Sequence, residues 1–572
     1  MSTYPPVNLK IDPKDIVGRE VRHVSYVAES NYQSDLLVAK EYIHLKDGSR
    51  VPNLSMVKNF ERKFWLSKPG RRTEHKDKLQ WDSVNNLREY TTTQVEMSNK
   101  IHRASDGYGR DPGMFNHLKS PYLYGAGIKP QCLLKDNYMS TYPDHISPRS
   151  VLAVLDIETD VVHGTEEPIL ISLTCGSKIF TGVKRSFLNG IPETDEMNEK
   201  RIIKRLNELL EEYVATRDLT FEIFFADTAA EICAEAMKRA HAWQPDFVAV
   251  WNLDFDLPKI KNALERSEYD LADVFSDPRV PYQYKNFKYI PGPSVKTTHT
   301  GRTTPIPIEG RWPVVDAPAS FFWIDAMCLY ARLRIASGRE ESYALDAVMN
   351  KHISRGKLKF SETDHLSKLD WHIEMQKNHK IEYIAYNIFD CIGMELLDEK
   401  TGDIGYAFAG LCDRSDYPDF KSDPTQISDA MHFHCLKNGY VFGTSGGDMR
   451  DENDSFAVKP KGWIITLDAF LAQHIGLDII KGLPNHQTQL SIHCSDLDIE
   501  GTYPTVQETV NACKETTIRE IVSIEGLTEL GKREIGVNLS GGETNACSIA
   551  VKAYSVPDKN ILLEQFMMEF PE

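Results

Sequence analysis

The sequence predicts an α/β architecture, a sheet with some parallel pairing and flanking helices. Two observations carry this. Between about residues 150 and 400, short apolar runs alternate with amphipathic helical stretches. Two of those runs, Val151–Leu155 and Phe247–Trp251, are apolar at every position, as expected of strands covered on both faces.

Residues 1–148 read as a separate α+β N-terminal domain, with alternations such as VRHVSYVAE suggesting strands. From Lys58 to Arg103 basic residues interleave with aromatics, among them Phe60, Arg62, Phe64, Trp65, Arg71 and Trp81. That mixture suits a nucleic-acid surface. The competing and slightly favoured expectation is a solvated mixed-charge face, because Glu61, Glu74 and Asp77 are interspersed.

The stretch VLAVLDIETD ends its apolar run in Asp156 and Glu158. Residues two apart on a strand point the same way, so both carboxylates leave the end of a central strand together. Two unpaired anions there repel each other and lose hydration; a divalent cation removes that penalty. A strand end with two solvated acids is the alternative. PILISLTC and KIFTGV follow as neighbouring strands. Next come a helix from Glu193 to Thr216, the strand FEIFFA, a helix over Ala229–Trp243 and the strand Phe247–Trp251. Asp256, in NLDFDLPKI, falls just beyond that strand, with Pro258 suited to a first helical turn. Sites in open α/β sheets gather at this edge, although Asp also commonly starts helices. Asp254 is left without a role. Residues Val280–Val315 form a basic segment rich in Pro and Gly, either a hairpin projecting against DNA or a disordered surface loop. The strand SFFWIDA and helices containing Leu329–Ile335 and Leu345–His352 complete this stretch. In YIAYNIFDCIGMELLD the apolar spacing fits a helix that sets Tyr386 and Asp390 on one face, with Met394 and Leu397 continuing as core. A buried Tyr–Asp hydrogen bond would explain that pair equally well.

Composition is that of an ordinary globular chain, with 572 residues, 41% hydrophobic and 26% charged. A net charge of −17 excludes a wholly basic nucleic-acid coat but not a local basic groove. No apolar run is long enough to span a bilayer, and the start lacks a signal-peptide core. Ten cysteines without CxxC pairs favour free thiols in a reducing cytoplasm. His432, His434 and Cys435 have no second ligand pair nearby and read as ordinary residues.

The ordered set DIET, NLDFD and YNIFD resembles the DEDD-type 3′–5′ exonucleases of the Tyr-containing subclass, and most of all the proofreading domain of family B DNA polymerases of tailed phages. The resemblance implies a ribonuclease-H-like fold over residues 149–400. It implies that Asp156, Glu158, Asp256 and Asp390 hold two Mg²⁺ ions, with Mn²⁺ as a substitute, and that Tyr386 orients the attacking water.

Residues 401–445 then read as a bridging segment of N-terminal-domain type, and 446–572 as a partial polymerase palm. Gly446 and Gly447, in GTSGGD, resemble the family's Gly-Gly contact to primer–template DNA. SIHCSDLDIEGTYPT resembles the first polymerase motif. By that likeness Asp498 and the backbone of Ile499 bind catalytic metals. Gly501 and Thr502 lie by the triphosphate, and Tyr503 excludes a 2′-hydroxyl. Gly501 and Thr502 depart from the usual Ser-Leu. K-x-x-x-N-S-x-Y-G and D-T-D are not found in the sequence. LSGGE at Leu539–Glu543 matches an ABC-ATPase loop, but no Walker lysine motif accompanies it.

The expectation is therefore the N-terminal portion of a split family B polymerase, in the cytoplasm, or a host's cytoplasm if viral. It would act on primer–template, single-stranded 3′ ends and dNTPs. A second polymerase chain, a sliding clamp and a single-stranded-DNA-binding protein are the partners implied. The alternatives are a stand-alone 3′–5′ exonuclease and a non-catalytic DNA-binding assembly subunit.

Overall fold

A computed structural model of the chain describes residues 11–29, 31–72, 81–105, 107, 109–145, 149–188, 194–297, 301–363, 365–366 and 368–443. Among them are fifteen α-helices and eighteen strands, a mixed α/β structure. In the N-terminal part, β1 (Ile16–Ala28), β2 (Asp35–Leu45) and β3 (Arg50–Lys58) form an antiparallel meander. A second antiparallel sheet is centred on β4 (Arg62–Ser67). After α1 (Pro69–Arg72) and β5 (Trp81–Ser83), β6 (Leu87–Thr92) pairs with one edge of β4 and β7 (Leu123–Tyr124) with the other. Helices α2 (Met97–Ala104) and α3 (Met114–His117) lie between β6 and β7, and α4 (Pro130–Thr141) follows.

This placement changes the reading for four residues of the basic, aromatic stretch. Arg62, Phe64 and Trp65 on the interior strand β4, and Phe60 just before it, are buried instead of facing DNA or solvent, while Lys63 on the same strand stays exposed. Arg62 donates to Gln94 Oε1 at 2.6 Å and to the carbonyls of Gly125 and Ala126 at 3.1 and 3.3 Å. Arg62→Ala strands those buried acceptors and opens a void. It should lower stability by about 2–4 kcal/mol in urea unfolding; a change within ~0.5 kcal/mol would refute the inward role.

The central sheet is six-stranded and mixed. Its strands are β8 (Leu152–Thr159), β9 (Pro168–Cys175), β10 (Lys178–Lys184), β11 (Thr220–Ala226), β12 (Phe247–Val250) and a last one reached after four short strands. Those four are β13 (Lys288–Ile290), β14 (Val295–Thr297), β15 (Thr303–Pro305) and β16 (Val314–Asp316). The sixth is β17 (Phe322–Asp325), and the order is β11-β10-β9-β8-β12-β17. β9 runs antiparallel to both its neighbours, β8 and β10, whereas β8, β12 and β17 run parallel to one another and β11 runs parallel to β10. The apolar run of β8 sits fourth in this order, covered on both faces.

Side-chain parity on β8 decides what each face sees. Ala153, Leu155 and Ile157 enter a core lined by α7 (Ala229–Trp243) and α8 (Leu253–Arg266); Val154 enters the opposite one. Chain order also includes α5 (Asp195–Leu209), α6 (Glu211–Arg217), α9 (Leu271–Phe275), α10 (Ala326–Leu333), α11 (Leu345–Ile353), α12 (Lys368–Asn378) and α13 (Lys380–Thr401). α13 packs across β8 and β9 on the Val154 side.

Three local readings change. The single helix over 193–216 is broken at Leu210 (φ −114°), which lets Leu206, Leu210 and Tyr213 all reach one core. α8 begins at Leu253, a turn before Pro258, because Asp325 at the end of β17 accepts the Leu253 N–H at 2.9 Å. Asp256 therefore lies inside the helix and does not start it. In the Val280–Val315 segment β13 pairs with β16, and β14 with β15, the latter two exposed along their whole length. α7 matches its expected limits and carries a capping box, Thr228 with Glu231.

After α13 come a π-helical turn (Asp403–Phe408), α14 (Ala409–Cys412), α15 (Asp423–Lys437) and β18 (Tyr440–Phe442). This segment returns to the N-terminal part. β18 pairs with β5, the Tyr417 hydroxyl donates to the Arg22 carbonyl at 2.6 Å, and Lys135 donates to the Ser415 carbonyl at 2.7 Å. No helix among the described residues is long and apolar enough to cross a membrane.

Candidate metal centre

Asp156 and Glu158 share the parity of Val154, so they leave β8 on the α13 side. Asp390 projects toward them from α13. Ligand oxygens of Asp156, Glu158 and Asp390 all lie within 4.8 Å of one another. Asp256, buried in α8, stands close enough for its charge to act on Asp156 and for Glu158 to act on it. Tyr386 lies one turn before Asp390 and is also buried.

The electrostatics are those of anions crowded without enough cation. Burial, then the charges of Asp256, Asp390 and Glu158, holds the Asp156 carboxyl well above the ordinary carboxylate range. Burial, then Glu158 and Asp325, does the same for Asp256. Burial pushes Glu158 up to about 7 against the opposing hydrogen bond from Tyr383, and Asp390 is raised by burial despite Lys357. Asp390 Oδ1 is buried with no partner among the described residues. An orphaned oxygen facing two more carboxylates is a donor set short of an acceptor of its lone pairs. Hard oxygen donors of this kind fit Mg²⁺ or Mn²⁺.

Three further side chains finish the site. Asn387 Nδ2 donates to Asp156 Oδ2 at 2.7 Å. The Tyr383 hydroxyl donates to Glu158 Oε2 at 2.5 Å and is itself held by Gln376 Nε2 at 3.2 Å, beside His372 Nδ1 at 2.8 Å. Lys357, in the loop after α11, donates from Nζ to Asp390 Oδ2 at 2.5 Å and to the Tyr386 hydroxyl at 3.0 Å. Burial lowers the Lys357 ammonium, but Asp390, Tyr386 and Asp156 outweigh that and raise it well above its ordinary value. Tyr386 and Asp390 are thus joined through a lysine. Asp254 accepts from the Tyr289 hydroxyl and the Gly292 N–H, which ties the first turn of α8 to the loop after β13.

Sequence periodicity could have flagged Tyr383 and Asn387, which each lie three residues before a member of the predicted helical pair, Tyr383 before Tyr386 and Asn387 before Asp390. Lys357 carried no periodic signal. Gly446, Gly447, Asp498, Ile499, Gly501, Thr502 and Tyr503 lie outside the described residues, as do the remaining palm features.

Tyr383→Phe removes a donor that favours ionised Glu158. The Glu158 midpoint should move from about 7 to higher pH in a carboxyl NMR titration. An unchanged or lower midpoint would contradict the assigned hydrogen bond.

No family model and no curated protein matches the chain. Fold and site define a class by themselves: a mixed α/β protein in which carboxylates from β8, α8 and α13 crowd together beside its main sheet.

Proposed function

We propose that residues 149–400 form a ribonuclease-H-like, metal-dependent 3′–5′ exonuclease, and that the chain carries the N-terminal and proofreading part of a family B DNA polymerase. The carrying observation is the meeting of Asp156, Glu158 and Asp390 within 4.8 Å, drawn from a strand and a helix more than 200 residues apart. When bound, a pair of Mg²⁺ ions supplies a hydroxide-like nucleophile near neutral pH and offsets charge on the leaving oxygen.

The chain's own residues orient the reaction. Asp156, Glu158, Asp256 and Asp390 offer only acceptor oxygens once ionised. Asn387 fixes the rotamer of Asp156 and Tyr383 that of Glu158. Burial, then Asp390, keeps the Tyr386 hydroxyl protonated, so it acts as a hydrogen-bonding positioner for water and not as a base. Lys357 holds that hydroxyl in place and offers a cation to a phosphate oxygen at the scissile bond.

The test uses the full chain and 5′-labelled single-stranded DNA. Mg²⁺ or Mn²⁺ should produce a ladder shortening from the 3′ end, and Asp156→Ala with Glu158→Ala should abolish it. Activity that survives the double substitution refutes the site. DNA binding without any degradation favours the assembly subunit. Primer extension that appears once the K-x-x-x-N-S-x-Y-G and D-T-D motifs are supplied, on this chain or on another, supports the polymerase part. Degradation without any extension under those conditions leaves a stand-alone exonuclease.

A further inference from the structure

A second cluster of ligand-type side chains lies in the N-terminal part and shares no residue with the acidic centre. His102 is in the last turn of α2, His117 is the last residue of α3, and Asp111 is in the connection between them. One ligand atom from each lies within 4.8 Å of the others. His117 Nε2 and Asp111 Oδ1 are 2.7 Å apart, and the two imidazole centroids are 5.9 Å apart. Asp111 Oδ1 is also held by the Gly113 N–H at 2.9 Å. His117 is buried and its carboxylate partner largely so.

An independent observation points to a ligand here. His102 Nε2 is shut off from solvent and meets no hydrogen-bond partner among the described residues. The other edge of that ring is backed by Gly107, where a Cβ would lie 2.3 Å from Nδ1, so the ring is confined by backbone. A buried imidazole nitrogen with an unused lone pair is costly unless something occupies it.

The geometry points to a zinc-class metal site formed by His102, Asp111 and His117. Two imidazoles and one carboxylate are the donors of three-ligand zinc sites, which leave a fourth position for water. Nitrogen donors disfavour Mg²⁺, which takes oxygen ligands. The ion takes the place of the proton now between His117 and Asp111 and satisfies His102. It ties the α2–α3 connection and α3 back to α2. That fastens the rim of the small core containing Phe64, Met97, Ile101 and Leu123. The site does not depend on the nuclease reading.

The test separates the two centres by chemistry. The full chain carrying Asp156→Ala, Glu158→Ala and Asp390→Ala, which lacks the oxygen-rich site, is titrated with Co²⁺ as an optical substitute for Zn²⁺. One equivalent should bind with the intense visible absorption of low-coordinate, nitrogen-ligated cobalt, and Zn²⁺ should displace it. His102→Ala in the same background should weaken binding at least tenfold. His102 is only partly buried, whereas His117 is buried, so His102→Ala is the variant that keeps its fold, and circular dichroism checks that. His102→Ala in the otherwise unsubstituted chain should leave 3′–5′ degradation unchanged. No stoichiometric Co²⁺ band, or a band that persists in His102→Ala, overturns the site and leaves a hydrogen-bonded His–Asp pair only.

Discussion

Asp156→Asn is expected to make the metal-free protein more stable while removing the proposed nuclease activity. Asp156 is ringed by Asp256, Asp390 and Glu158 and is half-buried, so its ionised form is disfavoured in the folded state. Asparagine keeps an oxygen for the Asn387 amide and drops the charge. At pH 8 the gain should be about 2–4 kcal/mol. It should shrink as the pH falls and the carboxyl of the parent takes up its proton. Degradation of single-stranded DNA should fall roughly 10³-fold or more, because a proposed metal ligand is removed. Thermal unfolding and a labelled-oligonucleotide assay read the two effects. A variant less stable than its parent at pH 8 would mean that the carboxylates are not crowded as described.

Magnesium should stabilise the parent, and more so at pH 8 than at pH 5. The sign follows from proton binding. Burial pushes Glu158 up to about 7, and Asp156, Asp256 and Asp390 are raised too. A carboxyl whose pKa is raised on folding makes the folded state bind more protons than the unfolded one. The stability linked to it is fully present below the unfolded value and is lost as pH climbs through the folded value. For Glu158 the loss lies between about 4.5 and 7 and amounts to something on the order of 3 kcal/mol. A divalent ion takes the place of those protons, so its benefit grows as they leave. Unfolding at pH 5, 6, 7 and 8 with and without Mg²⁺ measures this. A magnesium effect that is absent, or larger at pH 5, would dismiss the acidic centre as a cation site.

The parts of this site that could be read from the sequence are those set by local periodicity. Asp156 and Glu158 obey the two-residue period of β8, and Tyr386 and Asp390 the turn of α13, so both pairs were visible before any tertiary contact was known. The limits of α7 were visible because its start signal is local, in Thr228 and Glu231. What escaped depends on distant partners. Leu253 begins α8 because a carboxylate from β17 meets its N–H, and no residue near Pro258 announces that. Phe64 and Trp65 fall in a stretch that reads as exposed, as a solvated mixed-charge face or a nucleic-acid surface, and only β6 and β7 enclose their strand. Lys357 comes from an irregular loop, where spacing predicts nothing, and only the fold brings it to Asp390.

The pairing of β18 with β5 bears on how this protein can be divided. A nuclease fragment ending near residue 400 would leave Trp81–Ser83 without its strand partner and take the Tyr417 ring away from Phe247 and Phe322. The boundaries of folding and of chemistry therefore do not coincide along the gene. Shortened versions meant to isolate the catalysis should keep the downstream stretch through Gly443, or they will expose a raw sheet edge and an aromatic patch prone to self-association.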